Sequence, residues 1–259
     1  MKIDLLSPDS FANGQPHDQF AWLREHAPVH WHDEPGRTGF WAVTRHADVW
    51  AVDRDFQTYS SEPTIMISDP LADAGGFGPH KMMLMMDPPE HTGFRKLIRS
   101  EFTEPAARLR GERITALAKQ IVDAVINAGT CDFVDQVAGE MPSFVIAELM
   151  GLPLSDGREL YKLTEIIHTA PEALPPGAGG QAVMKMFEYG SRVIAEKRAR
   201  PRDELASKLL ACEVDGRKLE DMEFLLFFLL LVDAGGDTTR NLLSGGLLAL
   251  MENPDSTLG

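Results

Sequence analysis

Hydrophobic positions along the chain change period once, near residue 87. Before that point, the apolar residues gather in short aromatic and β-branched runs, Val29-His30-Trp31 and Gly39-Phe40-Trp41-Ala42-Val43. Asp33-Glu34-Pro35-Gly36 lies between them and supplies turn residues, so the two runs predict a hairpin. Helix candidates flank it, one over 16–26 with Phe20, Trp22 and Leu23 as apolar anchors, the other over 46–53. Residues 63–86 are rich in Gly, Pro, Asp and Met, show no period, and predict a long loop. From Pro88 onward the spacing predicts helices over 89–101, 105–128, 139–150, 155–168, 181–200, 203–212 and 219–252. Breaks fall at Thr103-Glu104-Pro105, Ala128-Gly129-Thr130, Gly151-Leu152-Pro153 and the 171–180 loop. The expectation is a mainly α fold, a helical body with a small N-terminal β element.

The last predicted helix differs from the others. Phe224 to Val232 is apolar on every face, which places it in the middle of a domain. Asp233-Ala234-Gly235-Gly236-Asp237-Thr238-Thr239-Arg240-Asn241 follows and is poor helix material, each Gly costing about 0.8–1 kcal/mol relative to Ala. Leu242 to Met251 then resumes the apolar pattern, so a buried helix is expected to be interrupted. Two glycines remove side-chain bulk. A Thr238 hydroxyl bonded to a carbonyl one turn back is expected to open the helix. Asp237 beside it makes a plausible proton relay. The plainer alternative is a helix contact where small residues permit close packing.

Composition narrows the function. Lys plus Arg number 25 against 39 Asp plus Glu, a formal charge of −14. Such a surface repels phosphate backbones, so no nucleic-acid partner is expected. Cys131 and Cys212 lie outside any C-x-x-C pair or His-rich cluster, so neither a disulfide framework nor a zinc site is expected. The N-terminus lacks the basic start and apolar stretch of a signal peptide, and the longest apolar run is far below the ~20 residues of a membrane span. A cytoplasmic protein is expected.

A second motif stands upstream: Met86-Asp87-Pro88-Pro89-Glu90-His91-Thr92-Gly93-Phe94-Arg95. Asp87 suits an N-cap and Pro88 the first helical turn. His91 and Arg95 are four apart and share one helix face near a helix start, which together make a carboxylate site. The alternative is an exposed pair without function.

Ala234-Gly235-Gly236-Asp237-Thr238-Thr239 resembles the A-G-x-[D/E]-T-[T/S] signature of the cytochromes P450, the haem-thiolate monooxygenases. D-P-P-x-H-x-x-x-R over Asp87 to Arg95 resembles the third-helix motif of bacterial members. The resemblance covers all 259 residues and implies one incomplete P450 domain. Its parts would be the N-terminal helix and hairpin over 1–62, a substrate-capping loop over 63–86, and a helical body over 87–259 with the oxygen-activating helix at 219–252. It implies that Asp237 and Thr238 are the acid–alcohol pair steering protons during dioxygen activation. Ala234 and Gly235 would lie against haem b, and His91 and Arg95 would hold its propionates.

The resemblance also implies a small apolar substrate, O2, and electrons from NAD(P)H through a ferredoxin reductase and ferredoxin. A terpenoid, sterol or branched lipid fits the overall match. Met83 and Leu84 are proposed to face the substrate, with plain core packing as the alternative. Asp233, four residues before Asp237, either joins that site or turns away to a partner. Arg95, Lys96, Arg99, Arg108, Arg110 and Arg113 form a basic stretch where a ferredoxin would dock, unless it is only a solvated face. The E-x-x-R helix pair and the Cys loop of the family are not found here, so no metal ligand is assigned and the chain alone is expected to be inactive. Two other readings stay open: a non-catalytic haem- or lipid-binding helical protein, and the remnant of a truncated gene.

Overall fold

The structure is a computed structural model, and it describes residues 2–65, 67, 77–169 and 173–257. Residues 66 and 68–76 of the expected 63–86 loop, 171–172 of the 171–180 loop and residue 170 before it lie outside the described residues. Contacts divide the chain into two compact units, Met1–Gly78 with Leu84–Pro88, and Pro79–Met83 with Pro89–Gly259.

The first unit holds α1 (His17–His26), β1 (Val29–His32), β2 (Phe40–Val43) and α2 (His46–Arg54). The expected hairpin forms, antiparallel, with Trp31 opposite Trp41. Those two indoles meet edge to face, 5.1 Å between centroids. Leu23 of α1 is fully buried, and buried His32 accepts from the Leu5 N–H at 3.0 Å. Asp87 does not cap the next helix as the sequence predicts. Its carboxylate instead accepts from the Ser61 N–H at 3.0 Å and from the Ser60 hydroxyl, within the first unit.

The second unit is the helical body: α3 (Glu90–Ile98), α4 (Glu104–Leu109), α5 (Gly111–Val125), α6 (Glu140–Met150), α7 (Leu154–His168), α8 (Ala178–Ala199), α9 (Leu205–Ala211) and α10 (Asp221–Glu252). The pattern predicts these helices closely, with two differences. The 105–128 helix is broken at Arg110 into α4 and α5, where the Arg110 side chain turns back onto the Glu101 and Ala106 carbonyls at 3.1 Å each. A short hairpin, β3 (Glu213–Val214) with β4 (Arg217–Lys218), precedes α10.

The long helix is not interrupted: α10 runs unbroken for 32 residues through both glycines. Tertiary packing supplies what local propensity lacks. Glu223 to Val232 is buried without a gap, and α10 packs against α6, α7 and α8. Its start is fixed by a capping box, in which the Glu220 side chain accepts from the Glu223 N–H and Glu223 Oε2 accepts from the Glu220 N–H at 2.8 Å. Arg217 of β4 grips the buried Glu223 carboxylate with two bonds, at 2.6 and 2.7 Å. Burial by itself would raise the Glu223 carboxyl, but this fork and the backbone bond outweigh it and hold the group below its usual range.

Candidate active site

Every site residue predicted from the last helix lies on α10, just past its fully buried half. Unbroken burial ends at Val232, and from Asp233 the helix presents two different sides, with Gly236 still buried. One side meets α7. The other is open: Ala234 and Thr238, one turn apart, are both exposed, and a Cβ built on Gly245 meets nothing within 4 Å.

The Thr238 hydroxyl donates to the Ala234 carbonyl oxygen at 2.9 Å. The predicted back-bond therefore forms without breaking the helix, and the hydroxyl stays fixed on the open side. The glycines also serve helix packing. A Cβ at Gly235 would stand 2.5 Å from Ile146 Cδ1 of α6, and one at Gly236 would stand 2.9 Å from the Tyr161 ring of α7. Their missing side chains let α6 and α7 close on α10, the packing alternative of the sequence reading. Contact between Gly235 and a cofactor would run through its backbone.

Asp237 turns toward α7 and is held at both oxygens. Arg240 Nη2 donates to Oδ1 at 2.7 Å and Asn241 Nδ2 donates to Oδ2 at 3.2 Å. Arg240 also donates through Nη1 to Glu165 of α7 at 2.8 Å. The neighbouring Tyr161 hydroxyl is pushed up to about 12, first by burial and then by the Glu165 carboxylate.

Asp233 does not open onto the exposed side. It pairs with His168 at the end of α7, Oδ1 to Nε2 2.5 Å, the partner alternative of the sequence reading. The Asp233 bond raises the His168 pKa above its ordinary 6.5, against burial, which lowers it. A raised folded value means that the pair's contribution to stability is complete below pH 6.5 and is lost as pH rises through the folded value. In an NMR titration the His168 imidazole is expected to have its midpoint above 6.5, and Asp233→Asn is expected to lower it. A midpoint that ignores the substitution rules the pairing out.

His91 and Arg95 share α3, His91 half-buried and Arg95 exposed. Among the described residues neither has a hydrogen-bond or ion-pair partner. Phe94, between them, stacks on Phe227 of α10 with centroids 5.8 Å apart. Phe227 precedes Asp237 by ten residues, about 15 Å along the helix axis. Two unpartnered N–H donors on α3 and a flat, small-residue stretch of α10 suit an anionic planar group such as haem. Met83 is half-buried and belongs to the second unit; Leu84 is exposed and belongs to the first.

The basic stretch is less available than its sequence suggests. Arg108 pairs with Glu104 at 2.6 Å, Arg113 with Glu148 at 2.6 Å, and Arg110 with Glu101. Arg95, Lys96 and Arg99 keep their charge uncompensated among the described residues. Cys131 is exposed, and Cys212, at the end of α9, has its thiol pushed up by burial. No group of three or more His, Cys, Asp or Glu that could hold a metal ion is found among the described residues. No single helix there is long and apolar enough to cross a membrane.

No family model matches the chain. It is 35% identical over 253 residues to a steroid C26-monooxygenase of Mycolicibacterium smegmatis, a match covering 93% of the chain and 58% of the relative. To a steroid C26-monooxygenase of Rhodococcus jostii it is 32% identical over 265 residues, covering 98% and 56%. Among solved structures it is similar to Mycobacterium marinum cytochrome P450 CYP268A2 in complex with pseudoionone, with a TM-score of 0.89 and 34% identity over 98% of the chain and 65% of that structure. The chain thus spans less than two thirds of the length of each of these proteins.

Proposed function

Since the chain belongs to the cytochromes P450, over the part of that fold that runs through the long central helix, we propose that it builds the oxygen-activating face of a haem-dependent monooxygenase. The reaction is insertion of one oxygen atom of O2 into an apolar substrate, with electrons from NAD(P)H by way of a ferredoxin reductase and a ferredoxin. The steroid in the names of two relatives and the pseudoionone of the solved complex support a steroid- or terpenoid-like substrate.

One observation carries the reading. Where α10 leaves the core, it carries a fixed hydroxyl on its open side, Thr238 on the Ala234 carbonyl, and, one residue earlier in the chain, a partly exposed carboxylate, Asp237, held by Arg240 and Asn241. When bound, the haem supplies the reductive activation of dioxygen. His91 and Arg95 would hold its propionates by donating to them, and Ala234 is small enough that a flat ring could lie against the helix. Asp237, with its side chain 43% exposed, takes protons from solvent at its carboxylate. The Thr238 hydroxyl passes them on at Oγ1. Asp233 stays with His168 and takes no part in this transfer. The resemblance alone assigns Met83 and Leu84 to the substrate. An acidic ferredoxin would meet Lys96 and Arg99, since Arg110 is already committed to Glu101.

The test is spectroscopic. The full-length haem-loaded protein, reduced under carbon monoxide, is expected to show the red-shifted Soret band of a haem-thiolate centre. Replacing His91 and Arg95 together by Ala is expected to lower haem retention about tenfold or more, the worth of one or two charge-assisted bonds. Haem bound without the red-shifted band in the full-length protein would return the reading to a non-catalytic binding protein.

A further inference from the structure

The assignment of Asp237 as the proton carrier leaves α7 without a role, yet α7 carries Glu165 and His168, which pair with Arg240 and Asp233 beside it. Tyr161, Glu165 and His168 lie at i, i+4 and i+7, on one face of α7. They meet Gly236, Arg240 and Asp233 of α10 in turn. Arg240 is the centre of this contact. Its two terminal nitrogens serve two carboxylates, Nη1 for Glu165 at 2.8 Å and Nη2 for Asp237 at 2.7 Å. Its Cζ lies 5.7 Å from the centroid of the Tyr161 ring, over the ring face. The guanidinium side chain is only 22% exposed, while Asp237 and Glu165 are 43% and 42% exposed. The least exposed member of the trio therefore sits between two carboxylates that face water.

This geometry is specific to arginine. A planar fork places two donors in fixed directions, whereas an ammonium is a point charge on a flexible stem. Without the guanidinium, Asp237 and Glu165 would face each other as like charges, and Asp237 would keep only the Asn241 bond at 3.2 Å. A catalytic carboxyl works only while it is held within a fraction of an ångström of its productive place. Gly236 is what makes the arrangement reachable, because a side chain there would hold Tyr161 and α7 away.

We propose that Arg240 and Glu165 are positioning residues for the Asp237 carboxylate: the guanidinium, anchored on α7 by Glu165 and Tyr161, sets where the proton carrier of α10 stands. The proposal rests on the reading of Asp237 given above. It also makes the end of α7 part of the oxygen-activating apparatus, acting through Arg240 without touching substrate or cofactor.

The test is a double-substitution cycle in the full-length haem-loaded protein, read by steady-state turnover, with melting temperature as the control for folding. Arg240→Gln is expected to slow turnover about 10- to 100-fold, with little change in substrate KM. Arg240→Lys is expected to recover only part of that loss, and Glu165→Gln to give a smaller loss of the same kind. In an Asp237→Asn background, Arg240→Gln is expected to add less than about a further twofold, because its target is already gone. A crystal structure of Arg240→Gln supplies a readout independent of turnover: the Asp237 carboxylate should move by more than about 1 Å while the backbones of α7 and α10 stay in place. Full turnover in Arg240→Gln, multiplying effects in the double variant, or an Asp237 carboxylate that stays where it is would each overturn the proposal. If Asp237→Asn alone leaves turnover unchanged, the reading of Asp237 as proton carrier fails, and the positioning role falls with it.

Discussion

Asp237→Asn is expected to slow substrate oxidation by the haem-loaded protein about 10²- to 10⁴-fold, the usual worth of a positioned acid or base. That is about 3–5 kcal/mol on the barrier. The amide nearly matches the carboxylate in shape and can still accept from Arg240, so the side chain is expected to stay in place. It cannot take up and release a proton. The ion pair it gives up is half-exposed, and such pairs contribute only about 0–1 kcal/mol to stability. The loss should therefore appear in turnover and not in the melting temperature. Thr238→Ala is expected to behave differently: NAD(P)H consumption continues while reducing equivalents are diverted to hydrogen peroxide. Measuring NAD(P)H, product and peroxide together separates the two residues. Full coupling in Thr238→Ala would remove the hydroxyl from its assigned role, and unchanged turnover in Asp237→Asn would remove the acid.

The largest expected effect on stability lies nine residues before Asp237. Phe228 is completely buried, with its ring stacked between Tyr189 of α8, 5.9 Å away, and Phe224, 6.3 Å away. Gly190 of α8 faces the same ring, and a Cβ there would already stand 2.6 Å from Leu225 and 3.4 Å from Phe228. The contact is so close that neighbouring side chains have little room to collapse into a void. Phe228→Ala is therefore expected to cost about 3–5 kcal/mol, the transfer loss plus an unfilled cavity. Chemical denaturation of the full-length protein checks this. A cost under about 1 kcal/mol would mean that this half of α10 is not the centre of the core.

A sequence signal was present for one element that the pattern reading missed. Val214-Asp215-Gly216-Arg217 carries the Asp-Gly pair of a tight hairpin turn, and both central residues have positive φ, 52° and 79°. The strands are only two residues each, too short to register as alternation. Yet this hairpin brings Arg217 onto Glu223 and so fixes where α10 begins. The π-helical stretch Val134–Ala138 had no comparable signal.

The sequence by itself determined the order and type of nearly every element, because helical periodicity and Gly and Pro breaks are local properties. It also placed Asp237 beside Thr238 and His91 one turn from Arg95, since helix geometry makes such neighbours unavoidable. Only the tertiary structure decided that α10 stays whole through Gly235 and Gly236. Burial against α6, α7 and α8 outweighs the roughly 2 kcal/mol that two glycines cost a lone helix. Only the tertiary structure, too, turned Asp233 to His168, divided Arg240 between Asp237 and Glu165, and neutralised half of the basic stretch. His168 and Glu165 stand 65 and 75 residues from Asp233 and Arg240 in the chain, and Glu148 stands 35 from Arg113, where spacing carries no information about contact.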